Sequence, residues 1–242
     1  MENNRNHTPI MDDTQQILLA LIIVFISIVI YIIYKRSKTT RRSILLTGIC
    51  DSGKTVLHSL LIHQKDVQSF TSIKANIGEY VSNKGSLKIV DIPGHERLRY
   101  KYIDEHKNST KGIVFVVDSL AIQDELKDAA EYLYNILCDD VLRKNKVNIL
   151  ILCNKQDHTL AKECTAIKAM FEKELNTLQN TKSLQVENLD PNSKKLSLGD
   201  GSKDFSFHNF ILNVEFAGSI AHHSKNGKND IDNLEKWLAK LS

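Results

Sequence analysis

The chain has 242 residues, 42% apolar and 25% charged, with a formal net charge of +3. That composition belongs to a folded protein and excludes disorder throughout, and the charge is too small to drive nucleic-acid binding, so no direct nucleic-acid contact is expected. The length suits one medium domain plus an appendage; the four cysteines, Cys50, Cys138, Cys153 and Cys164, lack metal-ligand spacing, which fits a reduced, cytosolic setting.

The first segment, residues 1–16, carries Glu2, Asp12 and Asp13 against Arg5. Residues 17–34 then hold no charge, and Ser27 is their one interruption among the non-aromatic apolar side chains. At 1.5 Å per residue this run just crosses a hydrocarbon core of ~30 Å. Tyr31 and Tyr34 stand where aromatic anchors belong, and the linker 35–42 adds Lys35, Arg36, Lys38, Arg41 and Arg42. The positive-inside rule predicts a single-pass helix in the lipid bilayer, with a lumenal N-terminus and everything after Lys35 in the cytosol. A cleaved signal peptide would carry its positive charges before the apolar run, and a soluble core helix would not be apolar on every face. Asn6-His7-Thr8 is a glycosylation sequon on the lumenal side.

Residues 43–242 alternate in type. A strand at 44–46 leads into Gly-Ile-Cys-Asp-Ser-Gly-Lys-Thr at 48–55, followed by a helix at 55–63. This is the G-x-x-x-x-G-K-[ST] phosphate loop in its strand–loop–helix context. Backbone N–H groups and a helix start offer donors and positive potential to a polyphosphate. Gly48, Asp51, Ser52 and Gly53 form the cradle, Lys54 reaches the β- and γ-phosphates, and Thr55 ligates Mg²⁺.

Strands at 77–81 and 87–90 read as a hairpin, and the second ends in Asp91-Ile92-Pro93-Gly94-His95-Glu96. Asp91 is placed to hold Mg²⁺ through water, and Gly94, lacking a side chain, can turn its N–H to the γ-phosphate. A helix at 96–106, a strand at 112–117 and a helix at 123–138 follow. The strand 147–153 ends in Asn154-Lys155-Gln156-Asp157. The Asp157 carboxylate matches the N1–H and 2-amino donors of guanine, whereas adenine would leave it desolvated and unpaired. Asn154 and Lys155 brace the loop and cover the base.

A helix at 160–178, a polar stretch at 179–204, a strand at 210–216 and a helix at 231–241 complete the chain. The polar stretch reads as a mobile surface insertion. The expected fold is α/β, a P-loop small-GTPase domain with a mostly parallel six-stranded sheet and helices on both faces, after one transmembrane helix. Its ligands, GTP or GDP with Mg²⁺, would bind at the carboxyl ends of the strands, where all three motifs fall.

The chain resembles the beta subunits of the signal recognition particle receptor, membrane-anchored small GTPases related to the Arf and Sar branch. C-D-S-G-K-T at 50–55, T-S-I at 71–73, D-I-P-G-H-E at 91–96, I-V-F-V-V-D-S at 113–119 and C-N-K-Q-D at 153–157 carry the likeness. So do E-K-E-L-N-T-L at 172–178 and L-E-K-W-L-A-K at 234–240, which are not nucleotide motifs. The resemblance implies that Thr71 binds Mg²⁺ when the γ-phosphate is present and that His95 orients the attacking water. It implies that Ala221, in Ser219-Ile220-Ala221-His222, offers its N–H to guanine O6, although Ile220 and His222 depart from the family's Ser-Ala-Lys-like core. Cys50 replaces a glycine common in GTPases, which implies slow intrinsic hydrolysis unless a partner assists.

The family role is to anchor the receptor's alpha subunit, through its N-terminal domain, at the endoplasmic reticulum membrane for co-translational targeting, with 71–76 and 92–102 as the GTP-ordered docking surface. Ribosome or translocon contacts are further expectations of the same resemblance. Two alternatives stand beside it: a membrane adaptor with permanently bound nucleotide, and an Arf- or Sar-like coat recruiter. A spanning helix argues against the second, because such recruiters leave the membrane.

Overall fold

The structure is a computed structural model that describes residues 13–37, 41–65, 72, 74–82, 84–189, 198, 204–222 and 229–242. The chain divides into two compact units, Met1–Thr40 and Arg41–Ser242.

In the first unit, helix α1 spans Asp13–Ser37, and within it Thr14–Ile32 has a mean hydropathy of 2.6 and is solvent-exposed throughout. By length and composition it can cross a membrane. Ser27 Oγ donates to the Ile23 carbonyl at 2.8 Å, so this hydroxyl needs no water inside lipid. The helix overruns the expected 17–34 at both ends, because no glycine or proline lies at 13–16 or 35–37 to break it.

The second unit is built on strands β1 (Ser43–Thr47), β2 (Asn76–Ser82), β3 (Gly85–Asp91), β4 (Thr110–Asp118), β5 (Asn148–Asn154) and β6 (Val214–Gly218). They form one six-stranded sheet in the order β2-β3-β1-β4-β5-β6, parallel except for β2 on β3. The expected α/β architecture is therefore present. The period of two along β4 separates the faces. Ile113, Phe115 and Val117 join a core with helices α3 (Glu96–His106), α4 (Ile122–Cys138) and α6 (Cys164–Leu189). Val114 and Val116 join the other core, with α2 (Lys54–His63) and α7 (Asp232–Leu241). Both faces are covered, which is why the parallel strands read as continuous apolar runs. Phe115 is fully buried between Tyr132 and Phe171, at ring-centroid distances of 5.6 and 6.3 Å. Such a burial contributes about 2–3 kcal/mol.

A polar chain of contacts fixes the edge of the future site. The hydroxyl of Thr47, at the end of β1, hydrogen-bonds that of Tyr132 on α4. The Tyr132 ring carries the Arg99 guanidinium of α3 at 4.3 Å, and Arg99 makes a forked pair with Asp128 of α4 at 2.6 and 3.2 Å. Arg99 is only 2% exposed, so α3 is tied to α4 by a buried cation. Burial also holds the Tyr132 hydroxyl above the ordinary tyrosine range.

Three local expectations are corrected. A short helix, α5 (Asp140–Lys144), was not legible in the sequence; its cap Asp139 accepts from the Val141 and Leu142 N–H groups at 2.8 and 3.0 Å. Five residues are too few to show a period. Helix α6 runs to Leu189, past the expected end at 178 and into the polar stretch 179–204. No proline or glycine lies at 164–190, and Lys182 reaches Glu131 of α4 at 3.1 Å, so polar residues continue the helix. The last strand is Val214–Gly218 rather than 210–216. Phe210 instead joins Phe205, which also stacks edge-on against Phe207 at 5.0 Å. That aromatic cluster, not a strand, explains the start of the run.

Candidate functional site

The carboxyl ends of β1, β3, β4 and β5 meet at one rim, because parallel strands in register end together. Leu46 pairs with Asp91, and Asp118 pairs with Asn154. Each expected motif hangs from one of these ends.

The phosphate loop leaves β1 at Gly48 and enters α2 at Lys54. Gly53 has φ 93°, and a Cβ there would stand 2.3 Å from Asn154 Nδ2. Its absence lets that amide donate to the Ser52 carbonyl at 2.9 Å. Asp51 also adopts a left-handed φ of 57°. Ser52, fully buried, donates to the Ile49 carbonyl at 3.0 Å, which tightens the loop. Lys54 folds across the loop, donating to the Ile49 carbonyl and to Ser52 Oγ at 3.2 Å. Burial pushes its ammonium below the ordinary lysine value, with Asp91 acting in the opposite sense. A polyphosphate in the loop would supply the counter-charge that this buried cation needs.

The residues fit a divalent cation beside the loop. Asp91 is fully buried; its Oδ2 accepts from Thr55 Oγ1 at 2.9 Å and from Asn76 Nδ2 at 3.0 Å, while Oδ1 has no partner. A hydroxyl and an orphaned carboxylate oxygen are hard donors of the kind Mg²⁺ takes. Ser72 Oγ lies 3.1 Å from the same Thr55 hydroxyl. Thr71, the other expected ligand, lies outside the described residues.

Gly94 is buried against the phosphate loop. A Cβ at Gly94 would meet Cys50 N at 2.7 Å and Ile49 C at 2.8 Å, both backbone atoms. The turn that starts α3 is thus in contact with the loop that would hold phosphate. His95 is exposed and caps α3, its Nδ1 accepting from the Arg97 N–H at 3.4 Å.

On the base side, Asn154 is the hub. Besides donating to Ser52, its Oδ1 accepts from Ser219 Oγ at 3.2 Å and from the Ala221 N–H at 3.1 Å. The segment 219–221 therefore lies beside the loop that starts at Asn154. Guanine O6 would have to share the Ala221 donor with Asn154. Lys155 has φ 65° and pairs with Asp118 Oδ2. Asp157 lies two residues on, its side chain 11% exposed and Oδ2 3.9 Å from His158 Nε2.

Sequence reasoning passed over Asp118 and Ser119. Asp118 Oδ1 accepts from the Leu120 and Ala121 N–H groups at 2.9 and 3.3 Å while Oδ2 holds Lys155. Ser119 Oγ accepts from Gln156 Nε2 at 2.8 Å, and the Lys162 N–H donates to the Ser119 carbonyl at 2.9 Å. The signal was available: Asp118 ends an apolar strand just as Asp91 and Asn154 do. Asn76 had no such signal, since only the β2–β3 register brings it opposite Asp91.

The chain is similar to known proteins. The family model described as signal recognition particle receptor beta subunit matches residues 39–214. The signal recognition particle receptor subunit beta of Mus musculus is 41% identical over 229 residues, covering 92% of this chain and 85% of that protein. Among solved structures, that of the mammalian SRP receptor superposes with a TM-score of 0.73 at 43% identity, covering 83% of this chain and all of that one. The receptor protein SRb of Chaetomium thermophilum, solved in a GTP/SRX complex, superposes at 0.65 with 22% identity, over 84% of this chain and 99% of its own, which shows the shared fold. The same protein was also solved with GDP and Mg, at the same score and identity.

Proposed function

The chain belongs to the signal recognition particle receptor beta subunit family of small GTPases, and from that premise we propose that it is a GTP-dependent anchor. In this reading it binds GTP or GDP with Mg²⁺ and holds the receptor's alpha subunit, by that subunit's N-terminal domain, at the endoplasmic reticulum membrane for co-translational targeting. The 41% identity with the mouse beta subunit and the helix α1 support the location and the anchoring role.

The observation that carries the reading is the contact of Gly94 with the phosphate-loop backbone at 49–50. Any third phosphate on that loop meets the turn from which α3 starts. Nucleotide state thereby biases the exposed surface of 92–102, and a partner on that surface senses it. Lys54 and the loop N–H groups hold the phosphates, Asn154, Lys155 and Asp157 hold the base, and Thr55 with Asp91 would hold Mg²⁺. The cation, when bound, neutralises phosphate charge. With His95 on the surface, intrinsic hydrolysis is slow unless a partner completes the site.

Linkage gives the test. The full chain in detergent, loaded with GTP, with GDP, or emptied, is mixed with the N-terminal domain of the alpha subunit. The GTP form should be retained about tenfold more tightly than the other two, and the partner should raise GTP affinity over that of the partner-free chain by the same factor that separates the GTP-loaded from the empty form. Equal retention of all three forms would instead support the adaptor with permanently bound nucleotide.

A further inference from the structure

Loop 154–163 carries the base-recognition residues, and a cysteine stands at each of its ends. Cys153 is the β5 residue before Asn154, and Cys164 is the first residue of α6. Cys153 pairs in register with Gly218 of β6. A Cβ at Gly218 would lie 3.5 Å from Cys164 Sγ, so the Cys164 sulfur hangs over the strand position beside Cys153. Both cysteines pack into the same apolar core, on the sheet face covered by α3, α4 and α6.

The pair is asymmetric. Cys153 is fully buried, and Cys164 is half-buried and reachable from solvent. The contact with Cys153 brings the Cys164 thiol down to about 7, opposed by burial, whereas the same contact and burial push Cys153 up. An accessible thiol with thiolate character beside a second thiol is the arrangement of oxidant-sensing cysteines. Cys138 differs: it is buried, and burial pushes its thiol up to about 11.

We propose that Cys153 and Cys164 are an oxidisable dithiol that staples the base-recognition loop, with hydrogen peroxide or an organic peroxide as the oxidant. The Cys164 thiolate attacks a peroxide oxygen; the O–O bond breaks, leaving Cys164 as a sulfenic acid and releasing hydroxide or alkoxide. The Cys153 sulfur then attacks the Cys164 sulfur. The S–O bond breaks, the S–S bond forms, and water leaves with the proton of Cys153. Two thiols are oxidised, and one peroxide is reduced. The bond closes a covalent ring over 154–163 and limits its opening. Any slowing of base release rests on the nucleotide reading above, but the disulfide and the stapling do not.

The test uses the full chain in detergent, treated with equimolar hydrogen peroxide, alkylated and cut with trypsin. Peptides 147–155 and 163–168 should appear joined and lighter by two hydrogens than their sum. The joined species should form at least about tenfold faster than Cys138 is oxidised. Cys164→Ser should abolish it, and Cys153→Ser should leave Cys164 as a sulfenic acid trapped by a dione reagent. Should Cys153→Ser fail to fold, the unmodified chain and Cys164→Ser decide the matter. A Cys164 that stays a thiol, or that goes to sulfinic acid unlinked in the unmodified chain, overturns the proposal. Amide hydrogen exchange over 156–162 should slow several-fold on oxidation, with or without added GDP; unchanged exchange overturns the stapling and leaves the nucleotide reading untouched.

Discussion

Asp157→Asn is expected to lower GTP affinity by roughly 10³-fold or more and to create measurable affinity for xanthosine triphosphate. The carboxylate is an acceptor pair facing the N1–H and 2-amino donors of guanine. An amide of the same shape turns one acceptor into a donor, which then opposes the 2-amino group. A purine with a carbonyl at C2 satisfies that donor instead. The Asp157 side chain is 11% exposed, so water cannot repair the mismatch cheaply. Competition binding on the unmodified and substituted chains measures both changes. A variant that keeps its GTP affinity would remove Asp157 from the base site.

Asn154→Ala should act on fold and site together. Three hydrogen bonds end on this buried side chain: one to the Ser52 carbonyl, one from Ser219 Oγ and one from the Ala221 N–H. Truncation leaves buried partners unsatisfied, so the loss is about 3–5 kcal/mol rather than the net worth of the bonds. The phosphate loop and the segment 219–221 lose their common brace, and nucleotide retention should fall along with stability. Thermal unfolding of the nucleotide-loaded chain reads the first effect, and nucleotide release rates read the second. A variant as stable as the parent would mean that the brace is redundant.

How much of this was legible in the sequence depends on how local each cause is. The phosphate loop, the Asp91 turn and the Asn154 loop are short motifs at strand ends, and a parallel sheet must bring such ends together. Continuous apolar runs placed β1, β4 and β5 closely, since both faces of these strands are buried. The strand at 210–216 was misplaced because Phe210 is apolar for packing with Phe205, not for a ladder. The end of α6 was misplaced because residues 179–189 show no apolar period, and the tie of Lys182 to Glu131 of α4 is a non-local contact. Asn76 depends on strand register and Arg99 on a helix crossing, both non-local facts. His95 was assigned from resemblance alone, and the structure puts it at an exposed helix cap.

The ends of β1, β3 and β5 are proposed to form a guanine-nucleotide site. The most direct measurement is equilibrium competition of GTP and ATP for the full chain in detergent with Mg²⁺, with the co-purified nucleotide extracted and identified. Guanine nucleotide is expected in the extract, with a preference for GTP over ATP of about 10³-fold or greater. Equal affinity for the two, or adenine nucleotide in the extract, would contradict it.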